Sequence, residues 1–363
     1  MSAPASTQAP LQRLRSTAAR LAELVATPLV PSDFVDLLDP LRSGSDLRAR
    51  VVEVRPETRD AVTLVLKPGR GWRPHTAGQY IRIGVDVDGV RQWRAYSTTS
   101  PVRADGLVTI CVKAMPDGLV SNYLVRKARP GLVLQLDQAT GEFTLPATAP
   151  AKALFLTAGS GITPVMGMLR STPLEDAVLL HSAPTAADVV FGGELRKLAS
   201  DGHIRLVERH TDSDGMLGVD ELEQLVPDLG ERETWACGPT GMLDALEAHW
   251  AARGIADRLH TERFRARVFG GGEGGSVTFT GPVAGATVVE ADGATPLLDA
   301  GEAAGLLMPS GCRMGICFGC VLPLRSGAVR DLRDGAVTTA EPGDGVKIQT
   351  CISAAAGPCD IDL

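Results

Sequence analysis

The chain has 363 residues, 44% hydrophobic and 22% charged, with a formal net charge of −7. That length allows two or three domains, each burying its own core, and the composition is that of an ordinary soluble globular protein. The acidic balance excludes a nucleic-acid partner at domain scale, and no apolar run approaches the ~20 residues needed to span a bilayer.

Residues 1–10 are small and polar, and the apolar positions after them are interrupted by Arg13, Arg15, Arg20 and Glu23, which predicts no secretory signal. Seven cysteines, an odd set, predict a reducing, cytoplasmic setting. Leu11, Leu14, Ala18, Leu21 and Val25 recur at helical spacing; Pro28 and Pro31 break that helix, and Ser32 caps a second over 33–38. These short helices, within residues 1–46, are expected to form a lid on the next domain. The alternative is a docking element for a membrane or a membrane-bound partner, with at most peripheral association.

From 47 to 148 the pattern becomes β-rich. Strands expected at 50–54, 61–66, 79–85, 107–112 and 132–136 are separated by Gly, Pro and Asp turns and predict a small antiparallel β-barrel, interrupted by a helix over 121–127. Within it, Arg94-Ala95-Tyr96-Ser97-Thr98 offers a cation for phosphate, a flat ring for an aromatic ligand and a hydroxyl for a ring nitrogen. A surface arginine beside a core tyrosine is the plain alternative. Gly118 precedes a helix that Ser121 is expected to cap, offering N–H groups and a positive dipole end to a pyrophosphate. That favours FAD over FMN, although a plain N-cap needs no ligand.

Between 149 and 268, strands at 153–157, 177–181, 204–208, 233–237 and 260–264 alternate with helices at 164–170, 193–199, 219–225 and 241–252. Such alternation predicts a doubly wound α/β sheet with ligands at the carboxyl ends of its strands. Gly159, Ser160, Gly161, Ile162, Thr163 and Pro164 follow the first strand; the glycines permit close approach to a phosphate, and Pro164 suits a first helical position. The stretch departs from the G-x-G-x-x-G fingerprint at its third glycine. Cys237-Gly238-Pro239 ends a later strand, where a thiol could pack on a nicotinamide ring or simply fill a buried turn. At His181, Ser182, Ala183 and Pro184, after the second strand, no acid stands to bond the ribose hydroxyls of NADH. NADPH is therefore expected, with NADH the alternative.

The Gly-rich 269–275 has the composition of a flexible linker. Beyond it, a hairpin over 276–280 and 286–290 and a helix over 297–304 lead to Cys312, Cys317 and Cys320. Their C-x4-C-x2-C spacing, with Cys351 following a strand at 346–349, is the plant-type pattern for a [2Fe-2S] cluster. Gly311, Gly315 and Gly319 let the backbone curl around the cluster and aim N–H groups at its sulfurs. Structural zinc is the alternative, although zinc modules usually pair two C-x2-C units, and Cys359 is the alternative fourth ligand.

The ordered set of Arg94-Ala95-Tyr96-Ser97, Gly118-x-x-Ser121, the 159–164 stretch, Cys237-Gly238-Pro239 and the cysteine loop resembles the ferredoxin-NADP reductase superfamily fused to a C-terminal plant-type ferredoxin domain, across 47–363. The resemblance implies an antiparallel β-barrel FAD domain, an α/β doubly wound NAD(P)H-binding domain and an α+β β-grasp ferredoxin domain over 276–363. It implies Arg94 on FAD phosphate or ribityl with Ala95 beside it, Tyr96 against the isoalloxazine and Ser97 near its N5. Val112 and Lys113 would join the flavin site, and Gly118, Val120 and Ser121 would hold the pyrophosphate. Gly159 to Thr163 with Pro164, and Cys237, Gly238 and Pro239, would receive the nucleotide, with Cys237 near the hydride-donating carbon. Tyr96, Ser97 and Cys237 are thus the expected catalytic residues, and Cys312, Cys317, Cys320 and Cys351 the expected cluster ligands. Phe264 or Phe269 would replace the C-terminal aromatic of plant reductases.

The implied chemistry is hydride transfer from NAD(P)H to FAD, then single electrons through the cluster to a protein acceptor. Residues 28–36 look like those of actinobacterial reductases that serve membrane fatty acyl desaturases. The expected acceptor is therefore a membrane di-iron desaturase or hydroxylase, with a Rieske-type oxygenase second and a haem monooxygenase third. A zinc-stabilised binding module on a flavoprotein scaffold is the alternative from another class.

Overall fold

The computed structural model describes residues 41, 47–87, 90–116, 118–264, 272–281, 285–315 and 317–363. The helices expected within 1–46, and Phe269, lie outside the described residues.

The first sheet contains β1 (Arg48–Thr58), β2 (Ala61–Pro68), β3 (Tyr80–Val87), β4 (Val90–Ser97), β5 (Val108–Lys113) and β6 (Val133–Leu136). Their order is β4-β3-β6-β1-β2-β5, with every pairing antiparallel. The two ends meet through a bridge between Thr98 and Ile110 and a 2.8 Å bond from Thr99 N to Thr109 O, which closes the barrel. Leu64, Leu66, Ile81 and Ile83 fill its interior, and α1 (Leu119–Lys127) covers them with Val120 and Leu124. Strand β4, anticipated only as a motif, has a polar or charged side chain at most positions, as an end strand of the sheet tolerates.

One local expectation is corrected. Gly118, not Ser121, is the N-cap of α1, and no side chain caps the helix. Ser121 sits in its first turn, where Oγ accepts a bond from Met115 N and donates one to Gly118 O, both 3.1 Å. A Cβ at position 118 would stand 2.5 Å from that hydroxyl, so glycine is what lets the serine fold back.

The second sheet comprises β7 (Lys152–Ala158), β8 (Asp176–Ala183), β9 (Arg205–His210), β10 (Glu233–Cys237) and β11 (Leu259–Glu262), ordered β11-β10-β7-β8-β9 and parallel throughout. Between them run α2 (Ile162–Ser171), α3 (Gly192–Ser200), α4 (Val219–Leu225) and α5 (Thr240–Ala252). Alternate strand residues feed two cores, with Phe155, Leu179 and Trp235 on one face and Leu154, Leu180 and Ala236 on the other. The first core also takes in Ala61, Cys111 and Phe143, so it runs on into the barrel.

The third sheet holds β12 (Gly275–Gly281), β13 (Gly285–Ala291), β14 (Val321–Asp331), β15 (Val337–Ala340), β16 (Lys347–Gln349) and β17 (Ser353–Asp362), with α6 (Leu297–Ala303) packed on it. The order is β13-β12-β17-β14-β15, β16 pairs with β14, and only β12–β17 is parallel among these pairings. This mixed sheet with its helix is the α+β module expected, and Phe279, Leu297, Leu324 and Ile361 give it a core of its own. The glycines leading into it are seated: Gly272 N donates to Gly293 O at 3.3 Å, and a Cβ on Gly274 would collide with the Ala291 carbonyl. No helix among the described residues is long and apolar enough to cross a membrane.

Candidate functional site

The parallel sheet reverses its direction of growth at β7, which has β8 on one side and β10 on the other. Crevices of this kind, at the carboxyl ends of the strands, are where doubly wound sheets take ligands. After β7 the chain makes one 3-10 turn over Gly159–Gly161, and α2 begins at Ile162, two residues before the expected Pro164. Gly159 has φ +55°, and a Cβ on Gly161 would collide with the Cys237 carbonyl oxygen at the end of β10. Glycine at 161 therefore lets the two loops touch through their backbones. Thr163 Oγ1 donates to Ser160 O at 2.9 Å and fixes the turn. Thus the 159–161 turn meets Cys237 and Gly238 through Gly161.

Cys237 is fully buried, and burial, reinforced by the charge of Glu262, pushes its thiol well above the ordinary value. Glu262 stands in register with Cys237 on β11. Burial pushes the Glu262 carboxyl up to about 8, against a downward pull from the neighbouring Ser97 hydroxyl. Ser97 Oγ and Glu262 Oε2 are nevertheless buried without a well-formed hydrogen bond to the described residues. Buried polar atoms call for partners, and the polar edge of a flavin ring would supply one. The residues present therefore fit that group.

Tyr96 is half-buried against the barrel core, and burial pushes its phenol up. Arg94 Nη1 donates to Trp93 O at 2.7 Å and, across to the cysteine loop, to Gly311 O at 3.3 Å. Both bonds engage Nη1; Nε and Nη2 make no hydrogen bond among the described residues and would be open to a cofactor's polar chain. Ala95 is half-buried beside it, opposite Arg82 in register. Val112 is buried, and Lys113 is already paired with Asp60 at 2.8 Å. The uncapped start of α1 leaves the N–H groups of its first turn, including those of Val120 and Ser121, to a ligand. His181 is 1% exposed, bonded through Nδ1 to Thr157 Oγ1 at 2.8 Å and pushed down to about 4 by burial. Strand β8 continues to Ala183, so of the stretch expected to read the ribose only Pro184 lies beyond the strand. Phe264, just past β11, is 39% exposed.

The four cysteines stand as two pairs. Cys317 is pulled down to about 5, first by hydrogen bonding with Cys312, and Cys320 to about 7, first by hydrogen bonding with Cys351. Backbone N–H groups also point at sulfur: Cys312 N and Gly319 N lie 3.0 and 3.4 Å from Cys317 Sγ, and Met314 N lies 3.3 Å from Cys312 Sγ. A Cβ on Gly311 would collide with Cys317 Sγ, and Gly315 has φ +75°, so the glycines do let the loop curl. No three His, Cys, Asp or Glu side chains among the described residues converge on a single ion. Two thiol pairs with N–H donors around them suit a two-iron cluster, one pair to each iron, better than one tetrahedral zinc. Cys359 lies instead within β17, paired with Val277 and Gly327.

Glu262 went unnoticed in the sequence because it sits in an otherwise ordinary strand; its signal is an acid at the carboxyl end of the last parallel strand. Arg333 and Gln349 were likewise missed. Both donate to Gly315 O, at 3.4 and 3.0 Å, and so hold the cysteine loop.

Residues 72–145 match the oxidoreductase FAD-binding domain family, and residues 282–356 match the 2Fe-2S iron-sulfur cluster binding domain family. An NADPH oxidoreductase of Mycobacterium tuberculosis strain H37Rv is 49% identical over 361 residues, covering 96% of this chain and 92% of its own. The ferredoxin reductase component of 3-ketosteroid-9-alpha-monooxygenase from the same strain is 32% identical over 301 residues, covering 76% and 84%. Among solved structures, phthalate dioxygenase reductase superposes with a TM-score of 0.59 at 22% identity, covering 88% of this chain and 98% of that one, a likeness of fold. The chain belongs to the ferredoxin-NADP reductase superfamily of FAD-dependent oxidoreductases, among members that carry a C-terminal [2Fe-2S] domain.

Proposed function

We propose that this chain draws hydride from NADPH in preference to NADH and delivers electrons singly to an oxygen-activating protein. The observation that carries this reading is the placement of β4. Its Ser97 stands beside Glu262 at the nucleotide crevice, while Arg94, three residues earlier, touches the cysteine loop at Gly311. When bound, FAD accepts two electrons as hydride and the [2Fe-2S] cluster takes them one at a time, chemistry that belongs to the cofactors.

The chain supplies position. Ser97 Oγ would donate to the polar edge of the flavin, Tyr96 would give it a flat wall, and Arg94 with the start of α1 would hold the phosphates. Gly159, Ser160, Gly161, Ile162 and Thr163 receive the nucleotide phosphates, while Cys237 gives the nicotinamide a small, uncharged floor. Glu262, mostly protonated at neutral pH, keeps a formal charge out of that floor. Cys312, Cys317, Cys320 and Cys351 would hold the cluster. The preference for NADPH is supported by the name of the 49% identical relative.

The acceptor we favour is a membrane di-iron acyl desaturase or hydroxylase, on the similarity of residues 28–36. A monooxygenase component is the second reading, favoured by the name of the ketosteroid monooxygenase relative. Turnover with each class of purified acceptor, the desaturase in vesicles, separates the two.

An anaerobic absorption titration with NADPH and with NADH tests the relay. Flavin and iron-sulfur bands should both bleach, at lower concentration with NADPH. Cys317→Ser should keep flavin bleaching and lose reduction of a one-electron protein acceptor. Zinc without acid-labile sulfide, or undiminished acceptor reduction in that variant, overturns the reading.

A further inference from the structure

Three barrel residues reach the cysteine loop. Arg82 Nη1 donates to Cys317 O at 3.2 Å, Arg94 Nη1 to Gly311 O at 3.3 Å, and Ser310 Oγ donates to Gln92 Oε1 at 2.7 Å. Strand β4 is the end strand of its sheet, paired with β3 on one side. The β3–β4 register puts Arg82 on the face of Ala95 and Trp93, and Gln92 and Arg94 on the opposite face. The loop is therefore gripped from both faces of the strand pair.

Two features separate this contact from a chance apposition of surfaces. Gln92 and Ser310 are only 8% and 6% exposed, so their bond is made away from water, where losing one partner leaves the other costly to bury. Arg82 is aimed in advance: Asp137 pairs with its guanidinium, and the Trp93 ring lies 5.7 Å from it. An arginine held by a carboxylate and an aromatic face loses little freedom when it takes a carbonyl.

We propose that Arg82, Gln92 and Ser310 form a latch that fixes the cysteine loop against the barrel, making β4 the spacer between the flavin site and the iron-sulfur site. The inference rests on the electron-transfer function proposed above. From Arg94, at the loop, to Ser97, at the flavin edge, is three residues, roughly 10 Å of strand at about 3.3 Å per residue. With the latch closed that spacing is constant. With it open the loop keeps fewer bonds to the barrel, the one from Arg94 to Gly311 O among them, and single electrons from NADPH-reduced flavin reach the cluster more slowly. Arg82 and Gln92 are positioning residues, because they act through the loop backbone and touch no reacting atom.

The test uses the holoprotein as wild type, Arg82→Gln, Arg82→Lys and Gln92→Ala, with flavin and iron contents measured to establish that each is folded and loaded. Rapid mixing with NADPH, without oxygen, follows flavin and cluster bleaching separately, and hydrogen exchange of the unreduced protein follows the amides of residues 309–315. Arg82→Gln and Gln92→Ala should keep the wild-type flavin phase, slow the cluster phase at least about tenfold, as the loss of a charge-assisted bond in the first and of a buried neutral bond in the second allows, and raise loop exchange. Arg82→Lys, which keeps the charge without the fork, should fall between. Wild-type cluster phases and loop exchange in both Arg82→Gln and Gln92→Ala overturn the latch. If the wild-type cluster itself fails to bleach, the electron-transfer function is what fails, and loop exchange still decides the latch.

Discussion

Glu262 shows how one residue can set the pH response of this site. Its carboxyl is raised to about 8 by burial, with Cys237 in register beside it and Ser97 across from it. An acid whose native pKa lies above its unfolded value gives stability that is complete below the unfolded value and gone once pH passes the native one. In flavin-free protein, Glu262→Gln should therefore melt with the parent at about pH 4 and above it at about pH 9, as calorimetry would read. In the loaded enzyme, flavin bleaching by NADPH should show an inflection in the parent, from a carboxyl held above the usual carboxylate range by burial, that the variant loses. An inflection that persists in Glu262→Gln assigns the titration to another group. At this scale the chain offers candidates where chemistry is local: the four cysteines stand out by spacing, and Tyr96 and Ser97, whose roles are proposed above, by type. Glu262 and Arg82 do not, because each acquires its role from a neighbour more than a hundred residues away, Ser97 for the first and Cys317 for the second.

Among the elements, the turn after β7 is where the sequence constrains the site most tightly. Gly161 has no room for a side chain, since a Cβ there meets the Cys237 carbonyl carbon and oxygen, both backbone atoms that cannot swing away. Gly161→Ala should spread the crevice between the 159–161 turn and the 237–239 turn. The expected result is a loss of about tenfold or more in kcat/KM for NADPH, with flavin content unchanged, because misplacing bound reactants is expensive in rate. Unchanged steady-state kinetics would show that the two turns are free to separate. The parallel strands were readable because both their faces are buried, which leaves runs such as Ala153-Leu154-Phe155-Leu156. Strands β14 and β17 were not. The stretch Ser353–Asp362 contains three alanines, a glycine and a proline, all weak strand formers, and is held extended by β12 on one side and β14 on the other. Strand β4 was hidden for the opposite reason: Gln92 and Arg94 meet the cysteine loop, Arg91 pairs with Asp86 and Trp93 lies against Arg82, so its side chains do not line one continuous core.

For the whole molecule, the division into three sheets does not imply three independent folding units. The core that fills one face of the parallel sheet runs on through Ala61, Cys111 and Phe143 of the barrel. Helix α2 presses Gly167 against the Thr98 carbonyl, where a Cβ would come within 2.5 Å, and Arg170 donates to Thr99 O at 2.6 Å. Barrel and parallel sheet should therefore lose structure together. The third sheet has its own apolar core and meets the barrel through the polar bonds of Ser310, Gly311 and Cys317. Polar contacts of that number couple domains weakly, and a module of this size depends on its bound cluster for much of its stability. Calorimetry of the holoprotein should then resolve two transitions rather than three. Loss of the iron-sulfur absorption should accompany the lower one, and release of flavin fluorescence the upper. Arg82→Gln should move the lower transition down and leave the upper in place, because the bond it removes belongs to the seam and to neither core. A single transition in which flavin and cluster are lost together would mean that the seam couples the modules as strongly as an apolar core does.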